Sequence, residues 1–185
     1  KIANSSFFRR VFNNVFQKNT LQVVLASSFK KDLLNLNPKR LNEIMVTTTA
    51  IDKSQIVKSE AHTEAKPIKV LFLGRIQDLK GIEELVDAIG QLKIKEKLND
   101  FKFSIVGHEN KTGYTDSLKQ KLKSYNVTSE KAAFLGRITG QEKYQLYAIH
   151  DIYVLPSYTE GCPNSLLEAL ASGLFCITTR VGALS

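Results

Sequence analysis

The sequence predicts an α/β protein built on an open, doubly wound parallel sheet. Three observations carry that prediction. Short apolar runs rich in β-branched and aromatic residues recur along the chain. Segments whose apolar residues repeat at helical spacing lie between them. No internal repeat or low-complexity tract points instead to a solenoid or a disordered chain. Repeated strand–helix units of this kind close into a parallel sheet covered by helices on both faces.

The elements follow in order. QVVLA, residues 22–26, is a short β-branched strand, and Ser27 or Ser28 then caps a helix running to about Leu36. Residues 43–46 read as a second strand. Residues 50–67 (AIDKSQIVKSEAHTEAKP) are polar and aperiodic, the best linker in the chain. KVLFL, residues 69–73, is a strand. The helix expected over 81–92 sets Ile82, Leu85, Val86, Ile89 and Leu92 on one face. FKFSIV, residues 101–106, is the next strand, and 115–125 a basic amphipathic helix. A short strand over 132–135 precedes a helix to Ile149, which Thr139 and Glu142 open as a capping box. IYVL, residues 152–155, is a strand. Pro163 stands where a first helical residue belongs, and that helix runs to about Ala171. A strand over 175–179 closes the series. The expected organisation is an N-terminal piece over 1–52, a linker over 53–67 and a main domain over 68–185. A parallel strand needs cover on both faces. The chain, opening on Lys1 and stopping just after its last strand, therefore reads as a piece cut at both ends.

Composition excludes several classes. With 43% apolar and 24% charged residues in 185 positions, the chain is that of an ordinary globular protein. Cys162 and Cys176 are its only cysteines, too few for a disulfide framework or a four-ligand zinc site. No apolar run is long enough to span a bilayer. The opening KIANSSFFRR lacks the apolar core and cleavage site of a signal peptide. The 26 Lys and Arg against 18 Asp and Glu leave a net charge of +8, which favours anionic partners without choosing among them. Nucleic acid is disfavoured, because aromatic residues are not interleaved with basic ones in any strand as base stacking needs.

Ligands of such sheets bind beyond the carboxyl ends of the strands, so the loops there are where chemistry is sought. Gly74-Arg75-Ile76-Gln77-Asp78-Leu79-Lys80-Gly81 follows KVLFL. It offers two cations and a helix N-terminus, a set that suits a diphosphate, although a solvated basic turn would look the same. It is neither a Walker A loop nor G-x-G-x-x-G. In PSYTEGCPNSLLEALASG, residues 156–173, Glu160 precedes the helix start and Glu168 lies inside the helix. The amides after Gly161 form an anion site, with carboxylates on either side to accept bonds from vicinal hydroxyls. Phosphate between two sets of hydroxyls describes a sugar nucleotide. A lone carboxylate in so apolar a helix needs a partner or a ligand. Phe134-Leu135-Gly136-Arg137-Ile138 offers backbone groups to the edge of a base, or is a plain turn.

Gly74-Arg75, Lys80-Gly81, Phe134-Leu135-Gly136, Leu155-Pro156-Ser157 and the E-x7-E element of Glu160 and Glu168 together resemble the retaining glycosyltransferases of family 4. The resemblance runs from about residue 20 to 182. It implies a GT-B protein with two Rossmann-like domains. This chain then holds the C-terminal, donor-binding domain and the tail of the acceptor-side domain. It further implies that Arg75 and Lys80 clamp the donor diphosphate, with Gly74 in the same loop, and that Glu160 faces the transferred sugar. Gly161, Cys162, Asn164 and Ser165 would reach sugar and phosphates, Glu168 would hold the ribose, and Arg137 and Ile138 would flank the base. The implied donor is a nucleotide sugar, most simply a UDP-sugar, used with retention and without a metal or other cofactor. The acceptor would be a sugar or lipid-linked hydroxyl in polysaccharide or glycolipid synthesis. The place of action would be the cytoplasm, including the inner face of the membrane.

Departures from the family pattern are visible. Members are longer than this chain. Thr49-Ala50 replaces the Asn-Gly usual before Ile51-Asp52, and His108–Gly113 replaces a compact G-x-G-P turn. The glycine-rich loop and the histidine of the acceptor-side domain are not in the sequence, so donor binding is better supported than turnover by this piece. A non-catalytic sugar-nucleotide-binding module is the alternative. SSFFRRVFNNVF, residues 5–16, sets Phe7, Phe8, Val11, Phe12, Val15 and Phe16 on one helical face. That face packs on the acceptor-side domain, or makes a peripheral membrane contact. His150 reads as structural at a helix end that welcomes positive charge, and Cys162 as a backbone contributor rather than a thiol nucleophile.

Overall fold

The computed structural model describes residues 6, 10, 21–36, 44–47, 49–59 and 67–184. The apolar face expected over 5–16 lies outside the described residues, Ser6 and Arg10 excepted. The described residues form two compact units. One holds the described residues up to Ala50 together with Glu160–Cys162 and 182–184. The other holds those of Ile51–Thr159 and Pro163–Val181. The main domain expected over 68–185 thus gives up its stretch 160–162 and its last residues to the first unit.

In the first unit, β1 (Gln22–Val24) and β2 (Ile44–Val46) pair in parallel, and α1 (Ser27–Leu36) connects to them. Lys30 Nζ donates to the Ile44 carbonyl at 2.9 Å, tying α1 to β2. The Ala183 amide donates to the Gly161 carbonyl at 3.0 Å.

The second unit is the parallel sheet. Its strands are β3 (Ile68–Leu73), β4 (Phe101–Val106), β5 (Ala132–Gly136), β6 (Ile152–Leu155) and β7 (Phe175–Thr178). Every pairing is parallel and the order is β5-β4-β3-β6-β7. The helices are α2 (Ile82–Ile94), α3 (Tyr114–Ser124), α4 (Gly140–Ala148) and α5 (Asn164–Ser172). Helix α2 packs on α3, and α4 on α5. From β3 the chain winds outward through β4 to β5, then crosses to β6 and winds the other way to β7. With right-handed crossovers, that reversal puts the two helix pairs on opposite faces. The order switches between β3 and β6, and the crevice beyond their carboxyl ends is where such sheets take ligands.

Local chemistry explains the elements. Ile82, Leu85, Val86 and Ile89 of α2 are buried, as their spacing predicts, while Leu92 is half-buried. Each buried aliphatic side chain contributes about 1.5–3 kcal/mol of transfer free energy. In the sheet Leu71, Phe72, Ile105, Tyr153 and Leu155 are buried as well, divided between its two faces. Lys121 Nζ and the Tyr125 hydroxyl both bond Asp87, at 2.8 and 3.1 Å, joining α3 to α2. The lysine bond holds the Asp87 carboxyl below its ordinary range.

Three expectations need correction. Thr139 does stand at the N-cap of α4, but its side chain makes no capping bond. Pro163 is the N-cap of α5, at φ −73° and ψ 116°, and not its first helical residue. His150 is structural but not cationic. It is 4% exposed, with its ring nitrogens 2.6 Å from the Leu146 carbonyl and 2.9 Å from Ser104 Oγ. Burial pushes its pKa below the ordinary 6.5, so desolvation outweighs the helix end.

Candidate functional site

The loop after β3 and the loop after β6 meet at the switch point. Gly81 makes that meeting close. It sits at φ +66°, and a Cβ there would lie 2.0 Å from the Pro156 carbonyl oxygen. Only glycine combines that conformation with that approach. The Tyr158 amide donates to the Leu79 carbonyl at 2.9 Å, a second tie between the loops. Below them the Tyr153 hydroxyl, on a fully buried ring, bridges the Leu73 carbonyl at 3.1 Å and Ser165 Oγ at 2.7 Å. The end of β3 and the first turn of α5 are therefore held together from inside.

Gly74 and Arg75 are fixed from the β4 side. The Gly74 amide donates to Val106 O at 3.0 Å, and a Cβ on Gly107 would lie 1.8 Å from Gly74 O. Ile76 is buried and exchanges bonds with His108 O (2.9 Å) and the Asn110 amide (3.4 Å). This alternation anchors Ile76 inward and leaves Arg75 exposed beside it. Lys80 closes a short 3₁₀ turn, Asp78–Lys80, immediately before Gly81, and is half-buried.

The four helices of this unit begin at the same edge but differ in charge. Helix α2 carries Glu83 and Glu84 in its first turn, α3 carries Asp116 and α4 carries Glu142. Helix α5 carries no acidic residue in its first turn, and its N-cap Pro163 supplies no side-chain bond. First-turn carboxylates thus offset the helix dipole at α2, α3 and α4 but not at α5. Asn164 is exposed and Ser165 half-buried at that end.

Glu168 lies one turn further on and is 7% exposed. Its Oε1 accepts from Lys143 Nζ at 2.7 Å and from the Tyr144 hydroxyl at 3.4 Å. Its Oε2 accepts from the Tyr147 hydroxyl at 3.0 Å. Burial first, then Tyr153 and Glu168, hold the Tyr147 phenol protonated far above its ordinary range. The sequence signalled that this carboxylate needs a partner but not which one. Lys143, Tyr144, Tyr147 and Tyr153 went unread, although Lys143 and Tyr147 share a helix face at i, i+4.

Arg137 and Ile138 follow β5, the outer strand of the sheet, separated from β3 by β4; Arg137 is exposed. Glu160, Gly161 and Cys162 belong to the other unit. The structure thus puts Gly74, Arg75 and Lys80 in the loop after β3 and Asn164 and Ser165 in the first turn of α5, two elements that Tyr153 ties together. Glu168 lies one turn further along α5, buried against α4, and Arg137 and Ile138 follow β5 at the same edge of the sheet.

A cavity of about 430 Å³ also opens at this edge, lined by Asp78, Glu83, Glu84, Lys111, Tyr114, Ser117 and Tyr158. Three carboxylates against one ammonium give it the wrong sign for a diphosphate. The arrangement around Arg75, Lys80 and α5 has the right sign: two cations and a helix N-terminus without acidic residues in its first turn, with a hydrogen-bonded carboxylate one turn further on.

Comparison with known proteins gives the family and the fold. Residues 67–185 match the family model of glycosyl transferases group 1. An uncharacterized glycosyltransferase of Methanocaldococcus jannaschii is 35% identical over 115 residues, which are 62% of this chain and 28% of that protein. A D-inositol 3-phosphate glycosyltransferase of Pseudarthrobacter chlorophenolicus is 33% identical over 116 residues, 63% of this chain and 27% of that protein. The aligned part thus spans under a third of these relatives. Among solved structures, an Anabaena protein crystallised with UDP and glucose superposes with a TM-score of 0.78 at 18% identity, covering 98% of this chain and 50% of that one. The C-terminal domain of a Francisella tularensis group 1 glycosyl transferase gives a TM-score of 0.60 at 24% identity, with 72% of each chain covered. The sheet is the Rossmann-like sheet of GT-B proteins, and the chain belongs to the group 1 glycosyl transferases.

Proposed function

We propose that this chain carries the donor-binding part of a glycosyltransferase that moves a sugar from a nucleoside-diphosphate sugar to an acceptor hydroxyl, with retention. The observation that carries the reading is the N-terminus of α5, which has no acidic residue in its first turn, tied through Tyr153 to the end of β3 and so to the loop bearing Arg75 and Lys80. A diphosphate needs positive groups from more than one direction, and this crevice supplies two side chains and a helix end. Arg75 and Lys80 bind the diphosphate and take up the charge that develops as it leaves, so no divalent cation is required for that step. Glu168 accepts from the ribose hydroxyls, and Arg137 and Ile138 lie by the base. Glu160 faces the transferred sugar, with the Gly161 and Cys162 backbone beside it; the family resemblance supports that role.

In the step itself the C1–O bond to the diphosphate breaks and a bond from C1 to the acceptor oxygen forms on the same face. The departing phosphate oxygen takes the acceptor's proton. A uridine donor is favoured by the Anabaena neighbour, solved with UDP and glucose. The acceptor is a sugar or lipid-linked hydroxyl of a polysaccharide or glycolipid pathway, met in the cytoplasm or at the membrane's inner face. Among the described residues no helix is long and apolar enough to cross a membrane.

Calorimetric titration with UDP, GDP and ADP, free and sugar-linked, tests the reading. One nucleotide should bind preferentially, and Arg75→Ala and Glu168→Gln should each weaken it. Unchanged affinity in both variants removes these assignments. Proton NMR of the transferred product's anomeric centre, with chelator present, tests retention and metal independence together.

A further inference from the structure

We infer that Lys143 and Tyr147 are positioning residues that hold Glu168 as the acceptor of the donor's ribose diol, and so set discrimination between ribose and deoxyribose. The inference rests on the reading of Glu168 given under Proposed function. A free glutamate has three side-chain torsions and would sample many orientations. This one is clamped. Lys143 Nζ takes Oε1 at 2.7 Å and the Tyr147 hydroxyl takes Oε2 at 3.0 Å, so both oxygens are fixed from the side of α4. The clamp is itself braced. Lys143 Nζ lies 4.3 Å from the centre of the Tyr144 ring. The Tyr147 ring sits 6.4 Å from that of Tyr144 and 6.2 Å from that of Tyr153, whose hydroxyl reaches Ser165 in the first turn of α5. The same cluster thus supports the carboxylate and the helix end.

The clamp leaves capacity for a ligand. A carboxylate offers about four lone-pair sites, and three are engaged here. Of those three, the Tyr144 bond at 3.4 Å is the longest and the first to yield to a sugar hydroxyl. Lysine and tyrosine here act only as donors to Glu168, so they do not compete for the protons a diol brings. A purely structural ion pair needs one partner. Two firm donors, one to each oxygen, fix a direction as well as a charge.

The test measures affinity of the full chain for UDP, 2′,3′-dideoxy-UDP and inorganic pyrophosphate by calorimetry. Removing two hydroxyls bonded to a charged group should weaken the unmodified protein's binding about tenfold or more. In Lys143→Met that ratio should fall to within about twofold of unity, and in Tyr147→Phe it should fall several-fold, while Lys143→Arg keeps most of it. Pyrophosphate affinity should stay constant throughout. Tyr147→Phe deletes one oxygen and keeps the ring, which guards against simple misfolding. A ratio unchanged in both Lys143→Met and Tyr147→Phe overturns the positioning role alone. So does a loss of pyrophosphate affinity in step with UDP. An unmodified protein that does not distinguish the two nucleotides overturns the ribose reading of Glu168, and this inference with it.

Discussion

Helices α3 and α5 begin at the same edge of the same sheet and differ in what meets their first amides. At α3 the protein uses its own anion. Glu109 Oε1 accepts from the Gly113 amide at 3.0 Å and Oε2 from the Thr115 amide at 2.7 Å. Those bonds hold the Glu109 carboxyl below its ordinary range. Asp116 adds a further negative charge in the first turn. At α5 no acidic residue stands in the first turn and no side chain caps the helix from its N-cap. Both ends present the same backbone donors, yet α3 carries an acidic residue in its first turn and α5 carries none. What favours a helix end as a site here is a first turn without acidic residues, together with cations from a neighbouring loop.

Changes that disturb the α5 end and the loops tied to it should have the largest effects. Gly81→Ala forces a side chain into the Pro156 carbonyl and into a left-handed conformation. A loss of about 3 kcal/mol or more is expected from the clash and the backbone strain together, read as a shifted denaturant midpoint. Nucleotide affinity should fall with it, because the two loops separate. Arg75→Ala should leave stability nearly unchanged and weaken UDP about 10- to 100-fold, the scale of a charge-assisted bond to phosphate. Equal UDP affinity in that variant would place the diphosphate elsewhere. Asn164→Asp puts a carboxylate into the first turn of α5, as Asp116 does at α3. It should stabilise the fold by about 0.3–1 kcal/mol through the helix dipole and yet cost UDP affinity several-fold. Effects of opposite sign on stability and binding are the signature sought.

The smallest effect belongs to the closed end. Glu109→Gln should lower stability slightly and leave UDP affinity alone. Its pH dependence has a definite sign. A carboxyl whose folded pKa is depressed stabilises fully above its unfolded value and loses that contribution as pH falls through the folded one. The advantage of the parent protein over Glu109→Gln should therefore be present at neutral pH and vanish on the acid side of about 4.5. An advantage that grows in acid would contradict the bonding described.

Much of this was legible in the sequence, for identifiable reasons. The strands and the buried face of α2 follow from apolar spacing, which burial itself imposes. The two loops at the switch point could be picked out because parallel sheets bind ligands at one edge. What stayed hidden depends on contacts between segments. Glu109 closes α3 from outside the helix, where no capping-box spacing would reveal it. The Thr139–Glu142 spacing, which does suggest a cap, forms no side-chain bond at the N-cap. Lys143 and Glu168 stand 25 positions apart, so only the packing of α4 on α5 reveals their pairing. The structural role of His150 is legible, but the downward push on its pKa is not, because a helix end is visible in sequence and depth of burial is not.

Amide chemical shifts in the ¹⁵N-labelled protein, followed as UDP is added, test the central contrast most directly. The amides of Asn164 and Ser165 should move in a saturable way while those of Gly113 and Thr115 stay still. Movement confined to Gly113 and Thr115, or none at Asn164 and Ser165 once UDP is bound, would contradict the account.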